Sequence, residues 1–271
     1  MNTTQMMDTA LKLSGLGEIP VDSGISVPGE GIRRVLMGVD MDTAELLLAR
    51  DLGFDCVVAH HPRINTPDYM EIMNHHVDKL AECGVPYNKA YKIVRARKKN
   101  LSIGWHTANH ARVASAAKLM NMPFLSIHTP ADLITEKFVQ DYLDERFKDK
   151  PRTPLKDIVD ALGEIHEFKE SVKKPEIRVG DGECFAGKVY VSMSGGTNLD
   201  NEGLKAYFDA GIGTIVQMHI TEPDVKAAAE WKTGNIIVTC HNASDSIGMN
   251  RIADAWEQQG VEVTAMSGYI R

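Results

Sequence analysis

Helix and strand signals alternate along most of the chain, and this alternation constrains the fold more than any other feature of the sequence. Short apolar runs with strand character, such as residues 34–39 and 213–219, are each followed by a segment with helical character. Each connection is long enough for a right-handed crossover between parallel strands. The alternation therefore predicts an α/β fold with parallel or mixed sheets.

A strand–helix–strand pattern occurs twice and predicts two related α/β lobes. Counted from Gly53 and from Gly211, the residues His61 and His219 fall at the same step. Chance similarity between two generic patterns is the alternative explanation. We expect three contiguous parts: residues 1–130 as the first lobe, 131–185 as a charged helical connector, and 186–271 as the second α/β segment. In a variant of this division, the C-terminal part packs back on the first lobe.

The overall charge and the cysteine pattern narrow the range of partners and compartments. A formal net charge of -7 over 271 residues provides no general basic field, which disfavours nucleic acid as a partner. The four cysteines are widely spaced, as expected in a reducing compartment. No apolar run approaches the roughly 18 residues of a membrane span, and the first residues lack a signal-peptide core. We therefore expect a cytoplasmic protein without membrane association.

Two adjacent histidines end one of the predicted strands. His60 and His61 follow the apolar run at 54–59, and Pro62 comes next. Imidazole is the commonest metal ligand in proteins, and α/β folds bind ligands at the carboxyl ends of their strands. Neighbouring strand residues point to opposite faces, so the two rings converge only if the backbone turns, as Pro62 favours. The alternative is one buried and one surface histidine in a loop.

Two further pairs of ligand-type residues occur near predicted strand ends at a spacing of four residues. These pairs are His106/His110, after a predicted strand at 101–105, and His241/Asp245. Residues four apart lie on one face of a helical turn, as a chelating pair requires. Coincidence explains any one pair, but strand ends gather at one edge of a parallel sheet. The three pairs together therefore predict a metal site.

The remaining histidines are weaker candidates. His219 is retained as a residue that supports the site or faces the substrate, and Glu222 follows it as a possible proton acceptor. An acid at a helix start is equally explained by capping and by the helix dipole. His128 and His166 have no matching ligand pattern and are not assigned to the site.

Signatures of several common enzyme classes are missing from the sequence. The chain has no Walker-type phosphate loop, no Gly-x-Ser-x-Gly motif and no His-Glu-x-x-His motif. The segment 192–196, Ser-Met-Ser-Gly-Gly, fits an anion-binding turn or a simple tight connection between a strand and a helix.

Three motifs in order resemble those of the NGG-interacting-factor-three-like family, whose members are often labelled homologues of type 2 GTP cyclohydrolase. The first resembles the family's strand that ends in His-His-Pro. The second resembles its His-Thr-Asn-Leu-Asp segment, and the third its C-terminal Gly-His-x-x-Ser/Thr-Glu segment. The matching stretches here are residues 52–62, 105–110 and 239–245.

The resemblance implies a dinuclear metal site between two α/β lobes and a homo-oligomer, namely a toroidal hexamer. The ligands that it implies are His60, His61, His110, His241 and Asp245. In this alignment, His110 replaces the usual Asp and Asp245 replaces the usual Glu. A neutral imidazole does not bridge two metals readily, so one or two ions per chain are expected. Histidine ligands favour a divalent transition metal, Zn, Fe, Mn or Ni.

The sequence therefore predicts a metal-dependent hydrolase that acts on a small phosphorylated or nucleotide-like substrate. Metal-activated water would be the nucleophile, with Asp245 or Glu222 as the catalytic proton acceptor. The main alternative is a metal-binding scaffold or metal-trafficking protein without turnover, in which the metal has no open coordination position. A ring that binds oligonucleotides is a third hypothesis, and the net charge disfavours it.

Overall fold

In the computed structural model, which describes residues 1–64 and 69–271, helices and strands alternate along the chain. The α-helices are α1 (Thr3–Ser14), α2 (Thr43–Asp51), α3 (His75–Glu82), α4 (Tyr87–Trp105), α5 (Arg112–Met120), α6 (His128–Phe147), α7 (Leu155–Gly163), α8 (His166–Glu170), α9 (Asn201–Asp209), α10 (Glu222–Trp231) and α11 (His241–Glu257). The strands are β1 (Gly24–Val27), β2 (Arg34–Gly38), β3 (Cys56–Ala59), β4 (Phe124–Ser126), β5 (Glu176–Val179), β6 (Val189–Val191), β7 (Thr214–Gln217), β8 (Asn235–Val238) and β9 (Glu262–Met266). A short 3-10 helix covers Tyr69–Asn74. The predicted α/β class is confirmed.

The chain divides into two compact units, each built from separate stretches of sequence. Unit 1 comprises Met1–Ile72, Thr107–Thr135 and Asp245–Arg271, and unit 2 comprises Met73–His106 and Glu136–Ser244. The sequence-based division used contiguous blocks instead. The units are discontinuous because strand pairing joins distant segments: β9, near the C-terminus, pairs with β2 in unit 1.

Unit 1 contains a five-stranded sheet with the order β1-β4-β3-β2-β9. The pairs β4/β3, β3/β2 and β2/β9 are parallel, and only the edge strand β1 is antiparallel to its neighbour. The predicted strand–helix–strand unit is present as β2, α2 and β3. Helix α2 begins with a capping box, in which the Asp42 side chain accepts a hydrogen bond from the backbone amide of Glu45 and the Glu45 side chain accepts one from that of Asp42.

Helices cover both faces of the unit 1 sheet, and the alternation of strand residues explains why. Val35 and Met37 of β2 pack in a cluster with residues of α1 and the C-terminal half of α11, including Trp256. The intervening Leu36 packs in a second cluster with residues of α2 and α5, including Leu46. Successive strand residues point to opposite faces, so a strand with three consecutive apolar residues, as at 35–37, requires a helix layer on each side.

Unit 2 also contains a mixed sheet, which has four strands in the order β5-β8-β7-β6. The pairs β6/β7 and β7/β8 are parallel, whereas the edge strand β5 runs antiparallel to β8. The second predicted strand–helix–strand unit is present as β6, α9 and β7. Two mixed sheets, each with one antiparallel edge strand, account for the internal similarity seen in the sequence.

The predicted strand at 101–105 is wrong. Residues 87–105 form the single helix α4. Its two buried residues, Ala90 and Val94, are four positions apart, as expected for one helical face. The alternating pattern of Leu101, Ile103 and Trp105 resembles a strand, but it lies on the last turns of this helix.

None of the helices in the described part of the chain combines the length and the apolar character that a membrane crossing requires.

Candidate metal centre

His60 and His61 extend the ladder between β3 and β2 beyond the end of both strands. The backbone amide of His60 donates to the carbonyl of Gly38 at 2.9 Å, and that of His61 donates to Val39 at 3.0 Å. Their rings nevertheless lie near one another, with centroids 5.3 Å apart and planes at 61°. His60 is completely buried, whereas His61 is partly exposed. The two imidazoles therefore reach the same region from the end of one strand.

The neighbouring strand, β4, delivers a second pair of ligand-type residues. Ile127 donates its amide to the carbonyl of Ala59, and His128 then begins α6. Asp132 follows one helical turn later. The ring of His128 lies 4.9 Å from that of His60, and Nε2 of His60 lies 3.0 Å from Oδ1 of Asp132. Both His128 and Asp132 are buried.

Helix α11 places a third ligand-type residue, Asp245, in the same region, and this residue is completely buried. Its Oδ2 lies 3.6 Å from Nδ1 of His60 and 3.7 Å from Nε2 of His61. A glycine one turn later lets α11 approach α6 this closely. A Cβ at Gly248 would lie 2.0 Å from the carbonyl oxygen of Ala131, and the Gly248 amide donates to Oγ1 of Thr135 at 2.9 Å.

Unit 1 thus brings together three imidazoles and two carboxylates. Within the described residues, the ligand atoms of His60, His61 and His128 lie within 4.8 Å of one another. Those of His60, Asp132 and Asp245 meet the same limit. We refer to these five residues as the unit 1 cluster.

Two further carboxylates orient the outer imidazoles of the unit 1 cluster. Nδ1 of His61 lies 2.9 Å from Asp40, and Nδ1 of His128 lies 2.7 Å from Asp22. An ionised carboxylate only accepts hydrogen bonds, so in both rings Nδ1 carries the hydrogen. The Nε2 atoms then face Asp245 and Asp132, each at 3.7 Å. Metal-binding histidines commonly have this support from a carboxylate on the opposite ring nitrogen.

The pKa shifts in the cluster reflect competition between burial and neighbouring charge. Burial raises the pKa of Asp245 well above its usual value, and the nearby Asp132 raises it further. Burial alone would lower the pKa of His128, but Asp132 and Asp22 outweigh it and raise that pKa to about 9. Burial lowers the pKa of His61 despite its bond to Asp40. The carboxylates of Asp132 and Asp22 therefore favour the positively charged form of the neighbouring His128.

The residues of the unit 1 cluster fit a divalent transition metal. Imidazole nitrogen combined with carboxylate oxygen suits Zn, Fe, Mn and Ni. Together with Asp22, three buried carboxylates adjoin the three imidazoles, so a bound cation would offset buried negative charge. Each carboxylate of the cluster approaches two imidazoles: Asp245 approaches those of His60 and His61, and Asp132 approaches those of His60 and His128.

Two predicted site residues lie elsewhere in the fold. His106 follows the last residue of α4 rather than a strand, and His110 lies in the turn before α5. His106 is exposed and His110 is partly exposed. Among the described residues, neither belongs to a group of three that could hold a metal. The assignment of His110 as a ligand stays a prediction.

The remaining predicted residues belong to unit 2. His241 begins α11, four residues before Asp245, and its ring lies 4.8 Å from that of His219. Glu222 begins α10 and forms an ion pair of 2.6 Å with Lys226. The roles of His241 as a ligand and of Glu222 as a catalytic acceptor stay predictions.

Comparison with solved structures reveals a similar protein over the full length. The NIF3 superfamily protein from Sphaerobacter thermophilus is 35% identical in sequence, with 99% of this chain and 98% of that chain covered and a TM-score of 0.95. The chain belongs to the NIF3 superfamily. The resemblance to NGG-interacting-factor-three-like proteins is thereby confirmed.

Solved structures of lower sequence identity share the fold. Reduced HcgD from Methanocaldococcus jannaschii is 13% identical, with a TM-score of 0.62 over 98% of this chain and 97% of that one. A Bacillus cereus protein related to NIF3 is 11% identical, with a TM-score of 0.55 over 98% and 96%. No protein-family model matches the chain, and no curated protein matches it significantly.

In this NIF3 superfamily protein, His128 and Asp132 are the cluster residues that sequence reasoning missed. The segment His128-Thr-Pro-Ala-Asp132 has the order His-Thr-x-x-Asp of the family segment that the sequence analysis placed at 105–110. It also has the four-residue spacing used to select the other two pairs. The signal was present, but β4 before it is only three residues long and was not recognised as a strand.

Proposed function

We propose that this protein is a cytoplasmic metal-dependent hydrolase of a small phosphorylated or nucleotide-like substrate. The observation that carries the proposal is the unit 1 cluster, in which three imidazoles and two carboxylates converge and two of the imidazoles are oriented by further carboxylates. Hydrolysis is the reaction class that such a donor set serves in many enzymes.

The proposed metal ligands are His60, His61, His128, Asp132 and Asp245, for one or two ions per chain. A bound divalent metal would supply a Lewis acid and would lower the pKa of a bound water molecule toward neutrality. Asp22 and Asp40 would keep the Nε2 atoms of His128 and His61 directed at the metal. With Asp132 included, the donor set contains the carboxylate that the alignment to 105–110 lacked.

Residues at the solvent side of the unit 1 cluster would receive the substrate. Asp40 is about half exposed, with a side-chain exposure of 56%, and accepts hydrogen bonds from both His61 and Arg63. The Arg63 guanidinium, 30% exposed, lies 2.8 Å from Asp40 and offers a cation for a substrate phosphate. Asp40 is accessible enough to exchange a proton with solvent, which suits the proton acceptor in hydrolysis.

Metal analysis tests the first half of the proposal. Protein purified without added metal or chelator should contain close to one or two equivalents of a transition metal. His61→Ala and Asp132→Ala should lose most of it, because each removes one donor. His166→Ala, which alters an exposed histidine in unit 2, is the matched control and should retain the metal. Equal metal content in all four proteins would contradict the assignment.

Turnover separates the hydrolase from the second candidate, a metal-binding scaffold. Four of the five proposed ligands are buried, which favours a closed, non-catalytic site. Wild-type protein loaded with Zn, Fe, Mn or Ni should hydrolyse at least one member of a panel of phosphoesters and nucleotides. The activity should fall with metal content in the variants. Full metal loading without turnover on the panel would support the scaffold instead.

The resemblance also leads us to propose a homo-oligomer, specifically a hexamer. Light scattering coupled to size-exclusion chromatography would give the mass directly. A monomeric mass near 29.9 kDa at micromolar concentration would contradict this part of the proposal.

A further inference from the structure

Unit 2 contains a cavity of about 540 Å³ at one edge of its sheet. Strands β7 and β8 are parallel and end at this edge, where Met218 and Cys240 line the cavity. Strand β5 is antiparallel to β8 and begins at the same edge, because Glu176 pairs with Val238. Ligands of α/β proteins bind at such carboxyl edges, and the volume is in the usual range of small-molecule sites.

Part of the cavity wall is apolar. Ile177 of β5, Met218 after β7 and Val225 of α10 contribute to it. Two imidazoles, those of His219 and His241, also line the cavity, with their ring centroids 4.8 Å apart and their planes at 54°. Both are exposed. Apolar side chains and ring faces together suit a flat heterocyclic group.

The charged residues around the cavity favour an anion. Its two carboxylates are already paired: Glu176 with Arg178 at 3.1 Å, and Glu222 with Lys226 at 2.6 Å. Lys173 and Lys174 also line the cavity; within the described part of the chain neither forms an ion pair with a carboxylate, and the Lys174 ammonium donates a hydrogen bond to the backbone carbonyl of Lys169. Two ammonium groups next to an apolar wall are suited to a phosphate attached to an apolar body.

Backbone strain at the cavity is a further sign of a functional role. Cys240 has a φ of 84°, in the left-handed region that non-glycine residues rarely adopt. Its amide is held by a 3.2 Å hydrogen bond to the carbonyl of Met218, which also lines the cavity. Strained residues that their surroundings hold in place cluster at ligand sites.

From the cavity, the two lysines that form no ion pair with a carboxylate, and the strained Cys240, we infer that unit 2 binds a small phosphomonoester that carries a planar heterocycle. The heterocycle would lie against Val225 and the two imidazoles, and the phosphate would contact Lys173 and Lys174. This inference deepens the proposed function by naming a substrate class and the residues of unit 2 that would bind it, and it rests on that proposal only for the relevance of the ligand, because binding is tested without metal or turnover.

Protection of the Cys240 thiol tests the inference without an activity assay. Cys240 is partly exposed, as is Cys184, whereas Cys56 and Cys83 are buried. We expect AMP, used as the probe in the presence of chelator, to slow alkylation of Cys240 and to leave Cys184 unchanged. Mass spectrometry reports both sites in one sample, so Cys184 is the internal control. Equal slowing at both thiols, or none at millimolar AMP, would overturn the inference.

Matched variants test whether Lys173 and Lys174 bind the phosphate of the probe. The exposed pair Lys173→Gln/Lys174→Gln should weaken AMP binding by roughly tenfold or more, since it removes charged hydrogen-bond donors. Lys92→Gln/Lys99→Gln, on exposed positions of α4, makes the same change in net charge and should leave binding intact. Equal weakening by both pairs would reduce the effect to general electrostatics and contradict the assignment.

Partial ligands complete the test. Adenosine and inorganic phosphate should each protect Cys240 less than AMP does, because each fills only one half of the cavity. Adenosine as effective as AMP would contradict the role of the lysines. Inorganic phosphate as effective as AMP would contradict the role of the apolar wall. Chelator is present throughout, so a failure of the metal proposal does not alter these outcomes.

Discussion

Each of the two units contains a buried cluster of charged residues. The two clusters differ in the positive charge that compensates their carboxylates. In unit 2, Lys79 and Glu136 form an ion pair of 2.5 Å, with the lysine only 3% exposed. Glu136 also accepts the amides of Met193 and Ser194, at 2.7 and 2.9 Å. Lys79 donates in addition to the Ser194 carbonyl at 3.1 Å. Burial alone would raise the pKa of Glu136, but Lys79 and these amides lower it.

The unit 1 cluster is just as buried but has an excess of carboxylates over permanent cations. Its imidazoles are neutral or positive according to their protons, and burial raises the pKa of Asp245. A network closed by an internal lysine contributes to stability alone, whereas one that requires a cation can bind and use that cation. Burial of charge by itself therefore does not distinguish a structural cluster from a functional one. The identity of the compensating charge does.

The largest expected effect comes from breaking the buried ion pair of Lys79 and Glu136, which we call the unit 2 cluster. Lys79→Ala leaves Glu136 as an uncompensated buried charge and should lower the free energy of unfolding by about 3–5 kcal/mol. Lys137→Ala removes an exposed lysine paired with Asp141 and should cost less than about 0.5 kcal/mol. Urea titration measures both. Similar losses in the two variants would show that the Lys79 pair behaves like a surface pair.

Separating α11 from α6 should damage unit 1 by a different mechanism. Gly248→Ala places a methyl group against the Ala131 carbonyl, and we expect a loss of about 3 kcal/mol from overpacking, together with loss of bound metal. Gly163→Ala in α7 is the control, because a Cβ there meets no atom within 4 Å. Thermal unfolding and metal analysis report the two effects. Full metal content in Gly248→Ala would show that the position of Asp245 does not depend on this contact.

Metal removal should affect the unit 1 cluster and spare the unit 2 cluster. At a free metal concentration a hundredfold above Kd, binding stabilises the folded state by about 2.7 kcal/mol, and chelation removes this contribution. Asp245→Asn should show a much smaller response to chelator, whereas Lys79→Ala should respond like the wild type. The measurement is the shift of Tm with and without chelator. An undiminished shift in Asp245→Asn would exclude Asp245 as a ligand.

The smallest expected effect is pH-dependent and belongs to unit 2. The folded-state pKa of Glu136 is below its usual value of 4.5, so its contribution is complete above that pH and is lost as pH falls through the folded-state pKa. Glu136→Gln should therefore cost about 2 kcal/mol near pH 7, and the difference from wild type should shrink below pH 4.5. Unfolding curves at several pH values test this. A pH-independent difference would mean that packing rather than charge explains the loss.

Local features of the fold were predictable from the sequence, whereas the contacts between residues far apart in the chain were not. The strand–helix–strand units, the capping box at Asp42 and the position of His60 and His61 after β3 were predictable, because periodicity and capping act over a few residues. The strand predicted at 101–105 was wrong because a short apolar alternation also fits the end of a helix. Because of that error, the second family motif was assigned to the segment that ends at His110. The segment with His128 and Asp132, which follows a strand of only three residues, was not considered.

By itself, the sequence determined the α/β class, the two related sheets and the presence of imidazoles at a strand end. The tertiary structure decided which distant residues join them. Asp245 reaches His60 because α11 packs against α6 at Gly248, and His128 reaches them because β4 is the strand next to β3. Such contacts depend on which strands pair and how closely helices pack. Those choices minimise exposed apolar surface over the whole chain, and no local pattern encodes them.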